Sequence, residues 1–218
     1  MLQLYGHPFS SYTWKVQIAL LEKDIPYAFR VLDAEHADNV DALRGHWPPG
    51  KFPVLVDGDR PVIESSIIIE YLDLHCPGSR RLVPEAPEAA LAARFLDRVF
   101  DNHVMGPMQA VVGEYLVDAQ APDRSRIDRA CAALDTIYAW LDEKLGDGGW
   151  ACGADFTIAD CAAAPALFYA DWVRPIDPVH VRLKAYRARL LARPSVARCV
   201  EGARPYRAFF PPGAPDRD

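Results

Sequence analysis

No two of the five cysteines lie close together in this chain. They stand at positions 76, 131, 152, 161 and 199, scattered and odd in number. That argues against a disulfide framework and points to buried thiols in a reducing setting. No block of like charge stands out either, with 24 lysines and arginines against 30 aspartates and glutamates and a net charge of −6. A nucleic-acid surface needs a basic patch, so nucleic acid is not an expected partner. No apolar run is long enough to span a bilayer, and no membrane partner is expected. The stretch from Met1 to Gly6 has neither a basic region nor a signal-like apolar core, so the expected location is the cytoplasm. There is no internal repeat, and the one biased stretch is a short proline-rich tail from Pro205. His75 and Cys76 have no further ligands at metal-binding spacing, so no metal is expected.

What the chain does have is apolar material, half of its 218 residues, enough for one large or two small domains. The most informative stretch is Gly50-Lys-Phe-Pro-Val-Leu-Val-Asp-Gly-Asp-Arg-Pro-Val-Ile-Glu-Ser-Ser66. Two short apolar runs, Val54 to Val56 and Val62-Ile63, flank the turn Asp57-Gly58-Asp59, which predicts a β-hairpin. Glu64-Ser65-Ser66 precedes Ile67, Ile68, Ile69, Tyr71 and Leu72, which reads as a helix with Ser65 as its N-cap. Pro53 opens the first strand of the hairpin and pushes Phe52 towards extended geometry.

Upstream, Leu2 to Tyr5 reads as a strand and Gly6-His7-Pro8-Phe9 as a loop. Ser10 and Ser11 can cap an amphipathic helix carried by Trp14, Ile18 and Leu21 and ending near Lys23. Tyr27 to Leu32 is strand-like, Asp38 to Arg44 a weak helix, and His46 to Gly50 a rigid loop. The order is βαβαββα. A helical crossover makes strands one and two parallel, and the closing hairpin is antiparallel.

Composition changes near Cys76, and Pro77, Gly78, Pro84 and Pro87 mark a linker. The expected division is residues 1–76, a linker over 77–87, and an all-α bundle over 88–218. Glu88 to Leu116 has helical spacing, which Gly106-Pro107 should kink or split. Asp123 to Leu145 is the clearest helix, its stripe of Ile127, Cys131, Leu134, Tyr138, Leu141 and Leu145 facing a core. Thr157 and Asp160 have capping-box spacing, and the helix after them is apolar nearly all round, so it should be central. Two more helices, over Val181 to Leu191 and Ser195 to Val200, precede a tail whose Tyr206, Phe209 and Phe210 could fold back over a pocket.

The Gly50–Ser66 stretch and the Phe156-Thr-Ile-Ala-Asp160 capping box both resemble the glutathione S-transferase superfamily, a detoxifying family of cytosolic enzymes. The resemblance runs from Leu2 to about Val200. It implies an α+β, thioredoxin-like amino-terminal domain followed by an all-α bundle, with glutathione as co-substrate and a homodimer as the assembly. It implies a cis bond before Pro53, with the Phe52 backbone on the cysteinyl part of glutathione and Glu64 and Ser65 on its γ-glutamyl end. Ser10-Ser11-Tyr12-Thr13-Trp14-Lys15-Val16 resembles the serine-containing stretch of the zeta class, which gives the catalytic role to Ser10; alignment to the theta class gives it to Ser11. Tyr12, the third candidate, replaces a cysteine of the zeta pattern, which argues against zeta-type isomerase chemistry. His7 stands where cysteine-dependent members carry their reactive thiol, which excludes a mixed disulfide there. Lys51 and His46 suit the glycine carboxylate of glutathione, and Asp101 could reach the γ-glutamyl amine across a dimer interface. A small hydrophobic electrophile should sit between the domains, against Phe9, His103, Met105, Met108, Phe168, Trp172 and Phe209. The expected function is glutathione transfer. The rival readings are a glutathione-dependent isomerase or dehalogenase, and a non-catalytic binding or interaction module.

Overall fold

The computed structural model describes residues 1–76 and 80–218. Strand β1 (Leu2–Gly6) leads through helix α1 (Ser11–Glu22) to β2 (Tyr27–Val31), and α2 (Ala37–His46) leads to the hairpin of β3 (Val54–Asp57) and β4 (Arg60–Ile63). The four strands form one mixed sheet in the order β2-β1-β3-β4. β1 pairs parallel with β2, while β3 pairs antiparallel with both β1 and β4, as the crossover and the hairpin require. Side-chain alternation splits the sheet's two faces. Leu2, Leu4 and Leu55 join the main core, whereas Tyr5, Val54 and Val56 form a smaller cluster with Leu43 of α2. The expected amino-terminal architecture is therefore the one found.

Helix α3 (Ser65–His75) closes this domain. Its N-cap is Glu64, not Ser65 as the sequence suggested, and no side chain caps it. Glu64 has φ 70°, so the chain turns into the helix one residue early and Ser65 becomes the first helical position. The expected linker residues Pro77 and Gly78 lie outside the described residues. Beyond them, Asp73 accepts hydrogen bonds from the Leu82 and Val83 amides at 2.9 and 2.7 Å and pairs with Lys23 at 2.9 Å. The Ile158 amide in turn donates to the Leu82 carbonyl at 2.8 Å, which ties this segment to the second domain.

The second domain contains α4 (Pro87–Val99), α5 (Gly106–Val117), α6 (Arg124–Lys144), α7 (Ile158–Val173), α8 (Val181–Ala192) and α9 (Pro194–Ala203). Between α4 and α5 the chain widens into a π-helical stretch, Phe100–Met105. Pro107 has no amide to give the carbonyl one turn back, and the Gly106 amide bonds instead to the Asp101 carbonyl, five residues before it. α7 is the hub, with every residue from Ile158 to Trp172 buried. Its capping box is complete: the Thr157 hydroxyl accepts from the Ala159 amide at 3.3 Å, and Asp160 accepts from the Thr157 amide at 2.8 Å. Asp160 also accepts from the Ala151 amide at 2.8 Å and the Tyr186 hydroxyl at 2.6 Å. Trp14 of α1 packs against Phe168 and Tyr169 of α7, joining both domains in one core. No helix among the described residues is long and apolar enough to cross a membrane.

Candidate functional site

The loop between β1 and α1 is fixed from several sides. Gly6 is required by close approach, since a Cβ there would meet the Thr13 side chain at 2.6 Å. The Trp14 indole donates to the Pro8 carbonyl at 2.6 Å, and the Tyr169 hydroxyl donates to the Phe9 carbonyl at 2.9 Å. The Phe9 amide donates to His7 Nδ1 at 3.1 Å, and burial pushes the His7 imidazole below its usual pKa, which keeps that nitrogen an acceptor. The Ser10 hydroxyl is the N-cap of α1 and accepts from the Thr13 amide at 3.3 Å. A capping hydroxyl still has its own proton to donate, and the first-turn amides add the positive end of the helix dipole. Ser11 and Tyr12 occupy the first two helical positions.

Two cavities meet at this helix end. The larger, about 620 Å³, is walled by Phe9, Met108, Val112, Leu116 and the tail residues Phe209 to Pro211, with Ser10, Ser11 and Tyr12 at its floor. The smaller, about 330 Å³, is polar and contains Glu64, Ser65, Arg98, Asp101 and Asn102 beside Phe52 and Pro53. Tyr12, Lys51, Phe52 and Gln109 border both. The Phe52–Pro53 bond is cis, and the buried Pro53 brings the Phe52 backbone to the junction. Glu64, with its positive φ, is a non-glycine residue in a sparsely populated region, a feature that concentrates at ligand clamps.

Beneath the polar cleft lies a charge cluster that joins the domains. Lys15 of α1 is fully buried, with its ammonium 2.5 Å from Asp97, 2.7 Å from Asp101 and 2.8 Å from the Ser66 hydroxyl. Arg98 pairs with the same two aspartates from the solvent side. Two cations thus face two carboxylates, which lets Lys15, Asp97 and Asp101 stay out of water while Arg98 reaches it. Burial raises the Asp101 carboxyl above its ordinary range despite the pull of Lys15. Asp101 borders the cleft of its own chain. Burial, then the Asp101 charge, pushes the Tyr12 phenol up to about 12, so it stays protonated at neutral pH and can donate but not act as a base.

Several expected positions lie elsewhere. His46 borders neither cavity, because α2 runs on to His46 and its ring packs edge-on against Tyr5 at 5.6 Å; Trp47 borders the cleft instead. His103 faces a different hollow, between α4 and α6, beside Phe95 and Trp140. Met105 and Phe168 are core residues, 1 and 2 % exposed. Trp172 stands behind the cavity wall, packed on Phe9 and Phe210. The π-helical stretch turns His103 and Met105 away from the cavity and brings Asp101 and Asn102 to the cleft. Of the expected second-substrate positions, Phe9, Met108 and Phe209 do line the cavity. Sequence reasoning missed Gln109, Leu116, Tyr169 and Pro211 as lining, and Arg98 in the cleft. Leu116 and Val112 were visible as a helical stripe, but its direction was not.

The family descriptions "Glutathione S-transferase, N-terminal domain" and "Glutathione S-transferase, C-terminal domain" match residues 4–80 and 124–189. Glutathione S-transferase GstB of Escherichia coli is 28 % identical over 204 residues, covering 92 % of this chain and 98 % of that protein. A stringent starvation protein A homolog of Coxiella burnetii is 29 % identical over 188 residues, covering 86 % of this chain and 83 % of its own. A glutathione S-transferase from Methylobacterium radiotolerans, solved in complex with glutathione sulfonate, superposes with a TM-score of 0.77 at 30 % identity, covering 91 % of this chain and 94 % of that one.

Proposed function

This chain belongs to the glutathione S-transferase superfamily, and we propose that it activates the thiol of glutathione for attack on a small hydrophobic electrophile. The observation that carries this reading is the meeting of a polar cleft and an apolar cavity at the hydroxyl-rich amino terminus of α1. In this reading the γ-glutamyl ammonium pairs with Glu64, and its carboxylate lies at the Ser65 end of α3, where free amides and the helix dipole favour an anion. The Phe52 backbone takes the cysteinyl part, and Lys51 takes the glycine carboxylate. The sulfur then lies at the junction, and a hydroxyl of Ser10 or Ser11 donates to it and favours the thiolate. Tyr12 is the alternative donor. The apolar cavity takes the electrophile.

We place the chain with the serine-type members of the family, in the cytoplasm, and divide it at residues 1–76 and 88–218. We also propose a homodimer. Ile67 and Leu74 on α3, and Leu91 and Phe95 on α4, are exposed apolar residues spaced to share a helix face. The Arg94–Glu70 pair bridges the same two helices at 2.8 Å, which makes the faces continuous.

The test is glutathione affinity by calorimetry, together with thiol consumption in the presence of a general electrophile. Saturable binding with conjugate formation supports the transferase. Turnover of an isomerisable substrate without thiol consumption would favour the isomerase. Binding without any turnover would favour the non-catalytic module, and no binding at millimolar glutathione would refute the whole reading.

A further inference from the structure

We propose that His7 is a positioning residue, its ring nitrogen holding the turn that presents Ser10 and Ser11 to the junction of the two cavities, an inference that rests on the transferase reading above. His7 borders neither cavity, so it acts through the backbone of the loop. The Ser10 amide donates to the His7 carbonyl at 2.9 Å, which closes a four-residue turn, His7-Pro8-Phe9-Ser10. Proline suits the second position of such a turn, and aspartate or asparagine suits the first. Their side-chain oxygen accepts from the amide two residues on. His7 does the same with its ring: Nδ1 accepts from the Phe9 amide at 3.1 Å.

Every backbone group of the turn has a partner. The His7 amide donates to the Thr13 hydroxyl at 3.4 Å, the Pro8 carbonyl accepts from the Trp14 indole at 2.6 Å, and the Phe9 carbonyl accepts from the Tyr169 hydroxyl at 2.9 Å. The Ser10 carbonyl accepts from the Trp14 amide at 2.9 Å, the first bond of α1. Pro8 has no amide to satisfy. The Phe9 amide is therefore the one group of the turn whose partner titrates near neutrality. Without that partner the turn is held from one side less, and the Ser10 cap follows it directly in the chain.

The bond requires a bare Nδ1, so the proton of the neutral ring sits on Nε2. A second proton would go to Nδ1, where it would face the Phe9 N–H, donor against donor, and the bond would be lost. Among the described residues, the titratable groups that face the ring from other elements are Asp33, after β2, and Tyr206 of the tail, edge-on at 4.7 Å. The Asp33 charge favours the protonated ring, but burial outweighs it and holds the pKa below its usual value. The ring is thus neutral at pH 7 and the turn is made. The bond is lost as pH falls through the lowered value.

The experiment compares wild type, His7→Asn and His7→Ala from about pH 8 down to about pH 5, with an electrophile that wild type conjugates. Asparagine offers an acceptor oxygen to the same amide and does not titrate. At neutral pH, kcat of His7→Ala should fall about two- to tenfold, the size of one net hydrogen bond, with the glutathione KM unchanged. His7→Asn should recover most of that loss. Thiol ionisation is common to wild type and His7→Asn, so it cancels in the ratio of their kcat values. That ratio should be flat above neutral pH and fall by at least the same factor in acid, as the ring takes up its proton. A ratio that stays flat into acid overturns the proposal, and so does a His7→Asn no better than His7→Ala. A raised glutathione KM with unchanged kcat places His7 on glutathione and overturns it too. Each of these results leaves the transferase standing. A wild type that binds no glutathione, or conjugates no electrophile, overturns both.

Discussion

Replacing Ser10 or Ser11 by alanine tests the thiol chemistry most directly. A free thiol titrates at about 8.5. A hydrogen bond to a charged group is worth roughly 1.5–3 kcal/mol, which is about one to two pKa units at ~1.36 kcal/mol each. With the bond, the bound thiol would titrate at about 6.5–7.5, and roughly a quarter to three quarters of it would be thiolate at pH 7. Without the bond about 3 % would be, so turnover at neutral pH should fall roughly eight- to twenty-fivefold and recover as pH rises. The two serines are separable by a second readout. The Ser10 hydroxyl also caps α1 through the Thr13 amide, so Ser10→Ala should cost about 0.5–2 kcal/mol of stability whether or not it touches sulfur. No such cap bond involves Ser11, and Ser11→Ala should leave the unfolding midpoint close to wild type. The assay is a pH titration of glutathione bound to each variant, followed by the ultraviolet absorbance of the thiolate, with Tyr12→Phe alongside. If neither serine variant shifts the bound thiol and Tyr12→Phe does, the phenol held near 12 is the donor and the serine assignment is wrong.

Glu64→Ala should weaken glutathione binding about tenfold or more, through loss of a charge-assisted bond, while leaving the bound thiol pKa close to wild type; calorimetry with the same titration checks both. Asp160→Ala should cost about 3–5 kcal/mol in urea unfolding, because the Thr157 and Ala151 amides and the Tyr186 hydroxyl all lose a buried acceptor at once. Glu22 gives a pH dependence: burial raises its pKa, but its bonds to Arg193 and Ser195 and the Arg80 charge outweigh that and hold it below the ordinary carboxylate value. Its stabilisation is therefore present above the unfolded carboxylate pKa and is lost as pH falls through the lowered folded value, and Glu22→Gln should flatten the acid limb of a stability–pH curve. A double substitution, Leu91→Asp with Phe95→Asp, should shift a micromolar sample from dimer to monomer in sedimentation, and a wild-type monomer at that concentration would refute the dimer.

Most of the fold was legible because local rules agreed with one another. The Asp-Gly turn between two β-branched runs specified the hairpin, and β3 and β4 meet around Gly58 with φ 59°. The stripe from Ile127 to Leu145 specified α6, which starts one residue after its Asp123 cap. Thr157 and Asp160 specified the start of α7, and its apolar run specified its central place. Ser65 was misread for a physical reason. A serine before an apolar run is a good N-cap, but the cap residue is set by backbone dihedrals, and Glu64 takes a positive φ that few non-glycine residues adopt. Only an interaction that over-determines Glu64 from outside the local sequence can hold it there, and local propensity contains no trace of it.

The candidate site was legible where it depends on chain segments and illegible where it depends on rotation. Ser10 to Tyr12, Lys51 to Pro53, and Glu64-Ser65 all reach the cavities because they sit at element ends, where backbone position alone decides the neighbourhood. Residues on α5 and the stretch before it are placed by helical phase. A regular helix turns 100° per residue, so reading the π-helical stretch Phe100–Met105 as ordinary helix carries a phase error into every later position. His103 and Met105 lie within that stretch and off the cavity, and Gln109 lies beyond it and lines the cavity. Pro107 was visible as a break, yet a break can be met by a kink, a split or a widened turn. The choice between them lies in the tertiary contacts of Phe100, Val104 and Met105, all buried in the shared core, and of Asp101, held by Lys15 across the domain boundary. The same contacts that tie the two domains together therefore set which side of α5 faces the larger cavity, so a substitution at Lys15 should alter electrophile preference without touching the cavity wall.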